Sequence, residues 1–182
     1  QYENSFNWLI DAGVALPVYN VTEFEIPLEA SKKSNLFKLF LSDVGMLTTC
    51  YGSSTVMSLL NNGKDINCGA LFENFVAQEL TAHGFKTYYF NDKKHGEVDF
   101  LIEYKNHLLP IEVKSGKNYQ THSALTYFMS DKNFHSAIVL SNYNVKMDQN
   151  ILYLPIYMTM FLQKEERIGP VKKIDLSKLS LS

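Results

Sequence analysis

D-F-L-I-E-Y-K-N-H-L-L-P-I-E-V-K, from Asp99 to Lys114, is the stretch of this sequence that decides the fold. Two apolar runs flank the polar segment Tyr104-Lys105-Asn106-His107, a spacing typical of a β-hairpin. Alternate side chains of a strand share a face, so Glu112 and Lys114 are expected to point the same way. Antiparallel pairing would then bring Asp99 close to both of them.

The first strand of this hairpin is expected to alternate between a polar and an apolar face. The polar face would hold Glu97, Asp99, Leu101 and Glu103, and the apolar face would hold Val98, Phe100 and Ile102. On the second strand, Ile111 and Val113 would enter the core. Asp99 is therefore expected on the polar side, next to Glu112.

Asp99 and Glu112 carry the carboxylate oxygens that a hard cation such as Mg²⁺ prefers, and the Val113 carbonyl is a third candidate ligand. A bound ion of this kind activates water and polarises a phosphodiester, while Lys114 would orient the nucleophile or offset developing charge. The pattern thus predicts metal-assisted phosphodiester hydrolysis. The same charges also fit simple cross-strand ion pairs on a hairpin surface, and the hairpin alone leaves both interpretations open.

The length of 182 residues suits one domain, or one domain with a small appendage. A hydrophobic content of 46% and an aromatic content of 13% favour a buried core over a disordered chain. The net charge of -2 excludes a general basic field for nucleic acid, so a phosphate backbone would need a local patch. Lys93, Lys94, His95 and Lys117 could form such a rim, or could simply be solvated turns.

Two cysteines, Cys50 and Cys68, provide neither a disulfide framework nor a C-x-x-C metal motif. No apolar run is long enough to span a bilayer, and Gln1 begins no signal peptide. We therefore expect a cytoplasmic protein without a membrane partner. The sequence does not begin with Met, and we expect it to be part of a longer protein.

Hydrophobic periodicity predicts an α/β order of elements and a mixed sheet flanked by helices. Besides the hairpin, we expect helices over 5–12, 69–83 and 121–129 and beginning near Pro155, and strands over 15–21, 36–41, 86–90, 136–140 and 151–154. The segment 22–34 contains Pro27 and a Ser-Lys-Lys-Ser run, which is typical of a linker.

Three motifs occur in a fixed order along these elements. They are Phe72-Glu73-Asn74, Glu97-Val98-Asp99-Phe100 and Ile111-Glu112-Val113-Lys114-Ser115-Gly116. In this order they resemble the PD-(D/E)xK nuclease superfamily. More narrowly, residues 36–154 resemble the uncharacterised C-terminal domain found behind the ATPase and winged-helix modules of many bacterial and archaeal AAA-type ATPases.

The resemblance implies a restriction-endonuclease-like core over residues 34–182 and a remnant of the winged helix, with its linker, over residues 1–33. It makes Asp99 and Glu112 ligands of Mg²⁺ or Mn²⁺ and Lys114 the motif lysine. It also makes Glu73 a helix-borne acid that completes the site, whereas an exposed helix glutamate alone would be unremarkable in this position. The implied partners are nucleic acid, most simply DNA, and the upstream ATPase and winged-helix modules; oligomerisation stays open.

Two departures separate this sequence from the family patterns. The proline of the PD half is absent, since Asp99 follows Glu97-Val98, and no Walker-type phosphate loop occurs, so an ATPase would lie upstream of Gln1. Two function classes follow: a metal-dependent nuclease domain coupled to an ATPase, or a catalytically silent nuclease-like module that binds nucleic acid or docks the ATPase. A purely structural oligomerisation domain would bind no metal.

Overall fold

The protein forms an α/β fold around one eight-stranded mixed sheet flanked by helices, as the order of elements predicted. The computed structural model describes residues 3–61, 67–120, 123–131 and 134–164. The strands are β1 (Ala15–Val21), β2 (Lys32–Leu41), β3 (Tyr88–Asp92), β4 (Gly96–Tyr104), β5 (His107–Lys114), β6 (Ala137–Ser141), β7 (Lys146–Asp148) and β8 (Ile151–Pro155). The helices are α1 (Glu3–Asp11), α2 (Val44–Thr49), α3 (Ser53–Leu60), α4 (Gly69–Ala82) and α5 (Ser123–Phe128), with 3₁₀ segments at Leu28–Ser31 and Ile156–Phe161.

The strands follow the order β2-β1-β3-β4-β5-β6-β8-β7 across the sheet. β1 runs parallel to β3, β5 to β6 and β6 to β8, whereas the other neighbours are antiparallel. Because β5 and β6 are parallel, the chain leaves both strands at the same end of the sheet. β4 is antiparallel to β5 and therefore begins at that end.

The hairpin predicted from the sequence is confirmed. β4 and β5 pair from Tyr104 opposite His107 to Phe100 opposite Ile111. Lys105 and Asn106 connect them with positive φ angles of 49° and 66°. Positive φ at both central residues is what a two-residue type I′ turn requires, and its twist matches that of the strands.

Helices cover both faces of the hairpin. Val76, Ala77 and Leu80 of α4 lie at helical spacing and pack on one face, in a cluster that includes Phe100 and Ile111. On the other face, side chains of α5 and a neighbouring loop pack against the strands. This cluster includes Ala124, Phe128, Phe134, Phe90, Val98, Leu101 and Leu108. Each fully buried side chain of this size contributes about 1.5–3 kcal/mol, so the hairpin is the centre of the core.

A β-bulge in β4 corrects the predicted alternation. Tyr88 pairs with Leu101 and Phe90 with Val98, so three steps along β4 match two along β3. Val98 and Leu101 consequently pack in the same cluster, on the face opposite Phe100. Leu101 was expected on a polar face but is fully buried, because helices cover both sides of the sheet here. The bulge contains Asp99.

The expected boundary between residues 33 and 34 can be located on the sheet. It falls inside β2, and β1 lies within the sheet between β2 and β3. β1 and the first two residues of β2 therefore belong to the same sheet as the hairpin, because β1 pairs in parallel with β3 at Tyr19 opposite Tyr88. The assignment of residues 1–33 to a winged-helix module stays a prediction.

Other differences lie at the ends of elements. α5 begins at Ser123, and residues 121 and 122, where its start was expected, lie outside the described residues. The helix expected near Pro155 is a 3₁₀ segment, and α3 and β7 were not predicted. Within the described part of the chain, every helix is too short or too polar to cross a membrane.

Candidate functional site

The candidate site lies where β4 begins and β5 ends. The backbone ladder between them stops at Phe100 opposite Ile111, one residue short of placing Asp99 opposite Glu112. Asp99 instead accepts a hydrogen bond through Oδ2 from the Val113 backbone N–H, at 2.8 Å. A side-chain carboxylate thus replaces the backbone acceptor at the point where the strands separate. The bulge re-aims this side chain, a common use of bulges beside functional sites.

Glu112 lies beside Asp99 and is almost completely buried, with 5% of its surface exposed. Its Oε1 forms an ion pair with Lys114 Nζ at 2.6 Å, as their shared strand face predicted. Its Oε2 is buried and has no hydrogen-bond partner among the described residues. A buried carboxylate oxygen without a partner carries a desolvation cost that a bound cation or water would offset.

A second lysine, which the sequence analysis did not place in the site, contacts the other acids. Lys38 of β2 lies with Nζ 3.8 Å from Glu73 Oε2 and 3.9 Å from Asp99 Oδ1. It also forms an ion pair with Glu97. The Lys38 ammonium is therefore the cation around which these three carboxylates gather.

Asn74 fixes the helix that carries Glu73. Its side chain accepts from the Leu41 backbone N–H at 2.8 Å and donates to the Leu41 carbonyl at 3.0 Å. Asn74 is 1% exposed, so these two bonds satisfy a buried amide that would otherwise be costly. Leu41 lies three residues after Lys38 on β2. The amide thereby sets the position of Glu73 relative to Lys38.

Burial makes the acids of this site weaker than usual. Desolvation, followed by the charge of Asp99, raises the pKa of Glu112 to about 7. Desolvation also raises the pKa of Asp99, against the hydrogen bond from Val113, and raises the pKa of Glu73. Burial has the opposite effect on Lys38 and lowers its pKa, but the bond to Glu97 and the charges of the nearby carboxylates raise that pKa overall. The carboxyl groups of the site therefore keep their protons to a higher pH than usual.

The structure brings the four candidate residues into one neighbourhood, but not into one metal shell. Asp99, Glu112 and Lys114 lie together at the strand ends, whereas Glu73 joins them through Lys38. Among residues 3–61, 67–120, 123–131 and 134–164, no three Asp, Glu, His or Cys side chains are arranged to hold a metal. Val113 takes part through its N–H; the role expected of its carbonyl stays a prediction.

Asp99 and Glu112 nevertheless fit a hard cation of the Mg²⁺ type. Mg²⁺ is commonly held by one or two carboxylates, with waters and substrate phosphates completing the shell. The Glu112 Oε2 atom has no protein partner among the described residues and is the free oxygen that such an ion needs. Asp99 and Glu112 are thus the part of the expected set that suits the ion, and the ligand roles expected of Val113 and Glu73 stay predictions.

One feature of the sequence could have identified Lys38 as a site residue. It is a single charge within the apolar strand Phe37-Lys38-Leu39-Phe40, where a buried lysine needs an acidic partner. Glu97 was placed on the polar face of β4 but was not assigned to the site. Asn74 was identified only as part of the Phe72-Glu73-Asn74 motif, and its hydrogen bonds to β2 could not be predicted from the local sequence.

A comparison with known protein families adds the identity of the domain. Residues 68–158, half of the 182-residue chain, match the domain of unknown function DUF4143. The chain belongs to the DUF4143 family. Comparisons with curated proteins and with solved structures gave no match.

The DUF4143 match runs from the start of α4 to the 3₁₀ segment after β8. Glu73, Asp99, Glu112 and Lys114 all lie within it. Lys38 lies outside, on a strand that the DUF4143 match does not include. The site of this DUF4143 protein thus combines four residues of the matched region with a cation from upstream.

Proposed function

We propose that this DUF4143 domain is a metal-dependent nuclease of the PD-(D/E)xK type that hydrolyses phosphodiester bonds, most simply those of DNA. The observation that carries the proposal is the junction of β4 and β5. There the bulge aims Asp99 at the Val113 N–H, and Glu112 is buried beside it with one oxygen lacking a partner. Lys114 is paired to the other oxygen of Glu112. A carboxylate pair with an adjacent ammonium is the equipment that such hydrolysis requires.

Asp99 and Glu112 would hold Mg²⁺ or Mn²⁺ in this proposal. A bound ion of this type supplies a more acidic water and a charge for the phosphate oxygens. The chain positions the reactants around it: Asp99 is oriented by the Val113 N–H, and Lys114 offers an ammonium close to Glu112. Lys114 is the group suited to orient the attacking water or offset charge on the phosphate.

A specific observation supports a second candidate function. Each of the four carboxylates already lies within 4 Å of Lys38 or Lys114, and no three-ligand arrangement occurs among the described residues. A site whose carboxylates are already paired with lysines suits a silent nuclease-like module for nucleic-acid binding or partner docking. DUF4143 domains often occur with AAA ATPases, which supports a role beside such an ATPase and its winged helix in either case.

Two measurements separate the candidates. The first is cleavage of single-stranded, duplex and branched DNA with Mg²⁺ or Mn²⁺, comparing the unchanged chain with Asp99→Asn and Lys114→Met. The nuclease proposal expects cleavage that both variants reduce by at least 10²-fold, the scale of a lost electrostatic group. The second is calorimetric titration with Mn²⁺, which is expected to show one site that Asp99→Asn removes. Metal binding without cleavage of any of these DNAs would favour the silent module.

A further inference from the structure

Two stacked aromatic pairs lie at the same end of the sheet as the acidic site. His95 and Tyr127 stack with ring centroids 3.8 Å apart and an interplanar angle of 12°. Tyr119 and Tyr143 stack at 4.1 Å and 19°. The proposed function uses neither pair.

The first pair lies on the β4 side of the site. His95 directly precedes Gly96, the first residue of β4, and is four residues from Asp99. Asp92 fixes this turn, because it accepts from the Lys94 N–H at 2.9 Å and lies 2.7 Å from His95 Nδ1. Tyr127 of α5 covers the His95 ring and is itself 37% exposed.

The second pair lies on the β5 side. Lys114 ends β5 and pairs with Ser141, the last residue of β6. Tyr119 follows Lys114 by five residues and Tyr143 follows Ser141 by two, so both rings stand just beyond the ends of adjacent strands. The Tyr143 N–H donates to Ser141 Oγ at 3.2 Å, which holds the turn in place.

This second stack is anchored at its base and exposed at its outer end. Tyr153 is 3% exposed and meets the Tyr119 ring edge to face at 5.8 Å and 84°. Tyr143, the outermost ring, is 37% exposed. Packing the core requires Tyr153 and Tyr119, but it does not require a further ring on the solvent side.

Positive charge accompanies both pairs. Lys93 and Lys94 are exposed in the turn that carries His95, and Lys117 is exposed in the loop that carries Tyr119. Alternating aromatic and basic groups are the usual surface for single strands, because bases stack on the rings while lysines attract the phosphates. A duplex keeps its bases stacked on one another and offers no free face to these rings.

We propose that the His95–Tyr127 and Tyr119–Tyr143 pairs form a surface that binds unpaired nucleobases on both sides of the acidic site. The inference rests on the proposed function and names its substrate: a single strand of nucleic acid, or the single-stranded part of a branched one. Tyr143 and Tyr127 are the rings exposed for stacking. The lysines beside them hold the backbone on either side of the scissile phosphate.

The test is binding without divalent metal, so that cleavage plays no part. Fluorescence anisotropy in EDTA would compare labelled oligo(dT), oligo(U) and a DNA duplex of equal length on the full chain. Single strands are expected to bind more tightly than the duplex, and the two oligonucleotides distinguish DNA from RNA as the source of the bases. Tyr143→Ala and Tyr127→Ala are expected to weaken single-strand binding about 5- to 100-fold each.

Matched variants keep the result interpretable. Tyr143→Phe keeps a stacking ring and Tyr157→Ala removes a ring that is 61% exposed elsewhere, so both are expected to bind as the unchanged chain does. Tyr143→Leu keeps an apolar contact with Tyr119 without a stacking face; if the alanine variant unfolds, it is expected to show the same loss. Duplex binding as tight as single-strand binding, or an unchanged affinity in Tyr143→Ala and Tyr127→Ala, would contradict the proposal of a base-binding surface.

The two proposals fail in different ways. Single-strand binding that depends on Tyr143, without cleavage in Mg²⁺ or Mn²⁺, would contradict the nuclease proposal and support the base-binding surface. Cleavage of duplex DNA that depends on Asp99 but not on Tyr143 or Tyr127 would do the reverse.

Discussion

The Lys38 ammonium lies 3.9 Å from the Asp99 carboxylate, although two strands, β1 and β3, separate their strands in the sheet. The Lys38 Nζ also lies 5.2 Å from the centre of the Tyr89 ring of β3. The side chain ends among the carboxylates of Glu73, Glu97 and Asp99. An intrinsic cation therefore offsets part of the negative charge of this cluster before any ion or phosphate arrives.

Replacing Lys38 by Met should reveal the strain among these acids. Three carboxylates would lose their shared counter-charge, and we expect the free energy of unfolding to fall by about 1–3 kcal/mol, between the values for exposed and buried pairs. Urea unfolding in EDTA measures this loss. Lys33→Met is the matched control, because Lys33 is an exposed lysine of the same strand. An equal loss in both variants would contradict the assignment.

The same substitution should strengthen metal binding. Lys38 competes electrostatically with any cation at Asp99, so Lys38→Met is expected to bind Mn²⁺ several-fold more tightly than the unchanged chain. Calorimetric titration gives the affinity, and added Mn²⁺ should return part of the stability lost in the variant. Weaker binding would mean that Lys38 helps to assemble the metal site instead of opposing it.

Two substitutions of Asp99 distinguish the effect of its charge from the effect of its hydrogen bond. Asp99→Asn keeps an oxygen that accepts from the Val113 N–H, so we expect the free energy of unfolding to change by less than about 1 kcal/mol. Asp99→Ala leaves that N–H without its acceptor and should cost about 1–3 kcal/mol. Both should abolish Mn²⁺ binding in a titration. Retained binding in the asparagine variant would exclude the Asp99 charge from the metal site.

Glu112 should make stability fall as the pH rises. Its pKa is raised to about 7 from the ordinary 4.5, so the folded state binds the proton more tightly than the unfolded state. This stabilisation is fully present below pH 4.5 and is lost as the pH rises through 7. The raised pKa values of Asp99 and Glu73 act in the same direction.

Glu112→Gln removes one of these proton sites and keeps the shape of the side chain. Its unfolding free energy, relative to that of the unchanged chain, should rise by about 1–3 kcal/mol from acidic pH to pH 8. Urea unfolding at several pH values measures this difference. Parallel pH profiles for the two proteins would show that Glu112 does not titrate in this window.

Asn74 should be a structural requirement of the site. Asn74→Asp cannot donate to the Leu41 carbonyl and buries a charge, and we expect a loss of about 2–4 kcal/mol in unfolding free energy. Gln78 provides a graded control on the next turn of α4, because it makes a single described bond, accepting from the Val44 N–H at 2.9 Å. Gln78→Ala should cost about 0.5–1.5 kcal/mol. Similar losses for both would contradict a special role for the buried amide.

Local periodicity was sufficient to predict the hairpin, α4 and β1. Each is specified by its own residues: alternation on the strands, a polar two-residue turn at Lys105 and Asn106, and helical spacing from Val76 to Leu80. Asp99, Glu112 and Lys114 could be placed together for the same reason, since all three lie just beyond the last hairpin pair, Phe100 opposite Ile111.

The remainder of the site depends on contacts that no local pattern encodes. The bulge at Asp99 arises from the pairing of β4 with β3, and it reversed the face expected for Val98. Lys38 reaches Asp99 only because β2 and β1 join the sheet beside β3. This part of the site could not be predicted because its residues are far apart in the sequence, although their residue types are ordinary.

The position of β1 has a practical consequence for anyone who isolates the family-matched segment. A chain cut at residue 68 would lose β1 and β2 and uncover the backbone of β3 at Tyr88 and Tyr89, which pair with Tyr19 and Asn20. An uncovered, aromatic strand edge invites pairing with a second molecule. We expect such a truncation to elute as aggregates on gel filtration. A chain that retains residues 15–41 keeps this edge covered and also keeps Lys38 beside the acids.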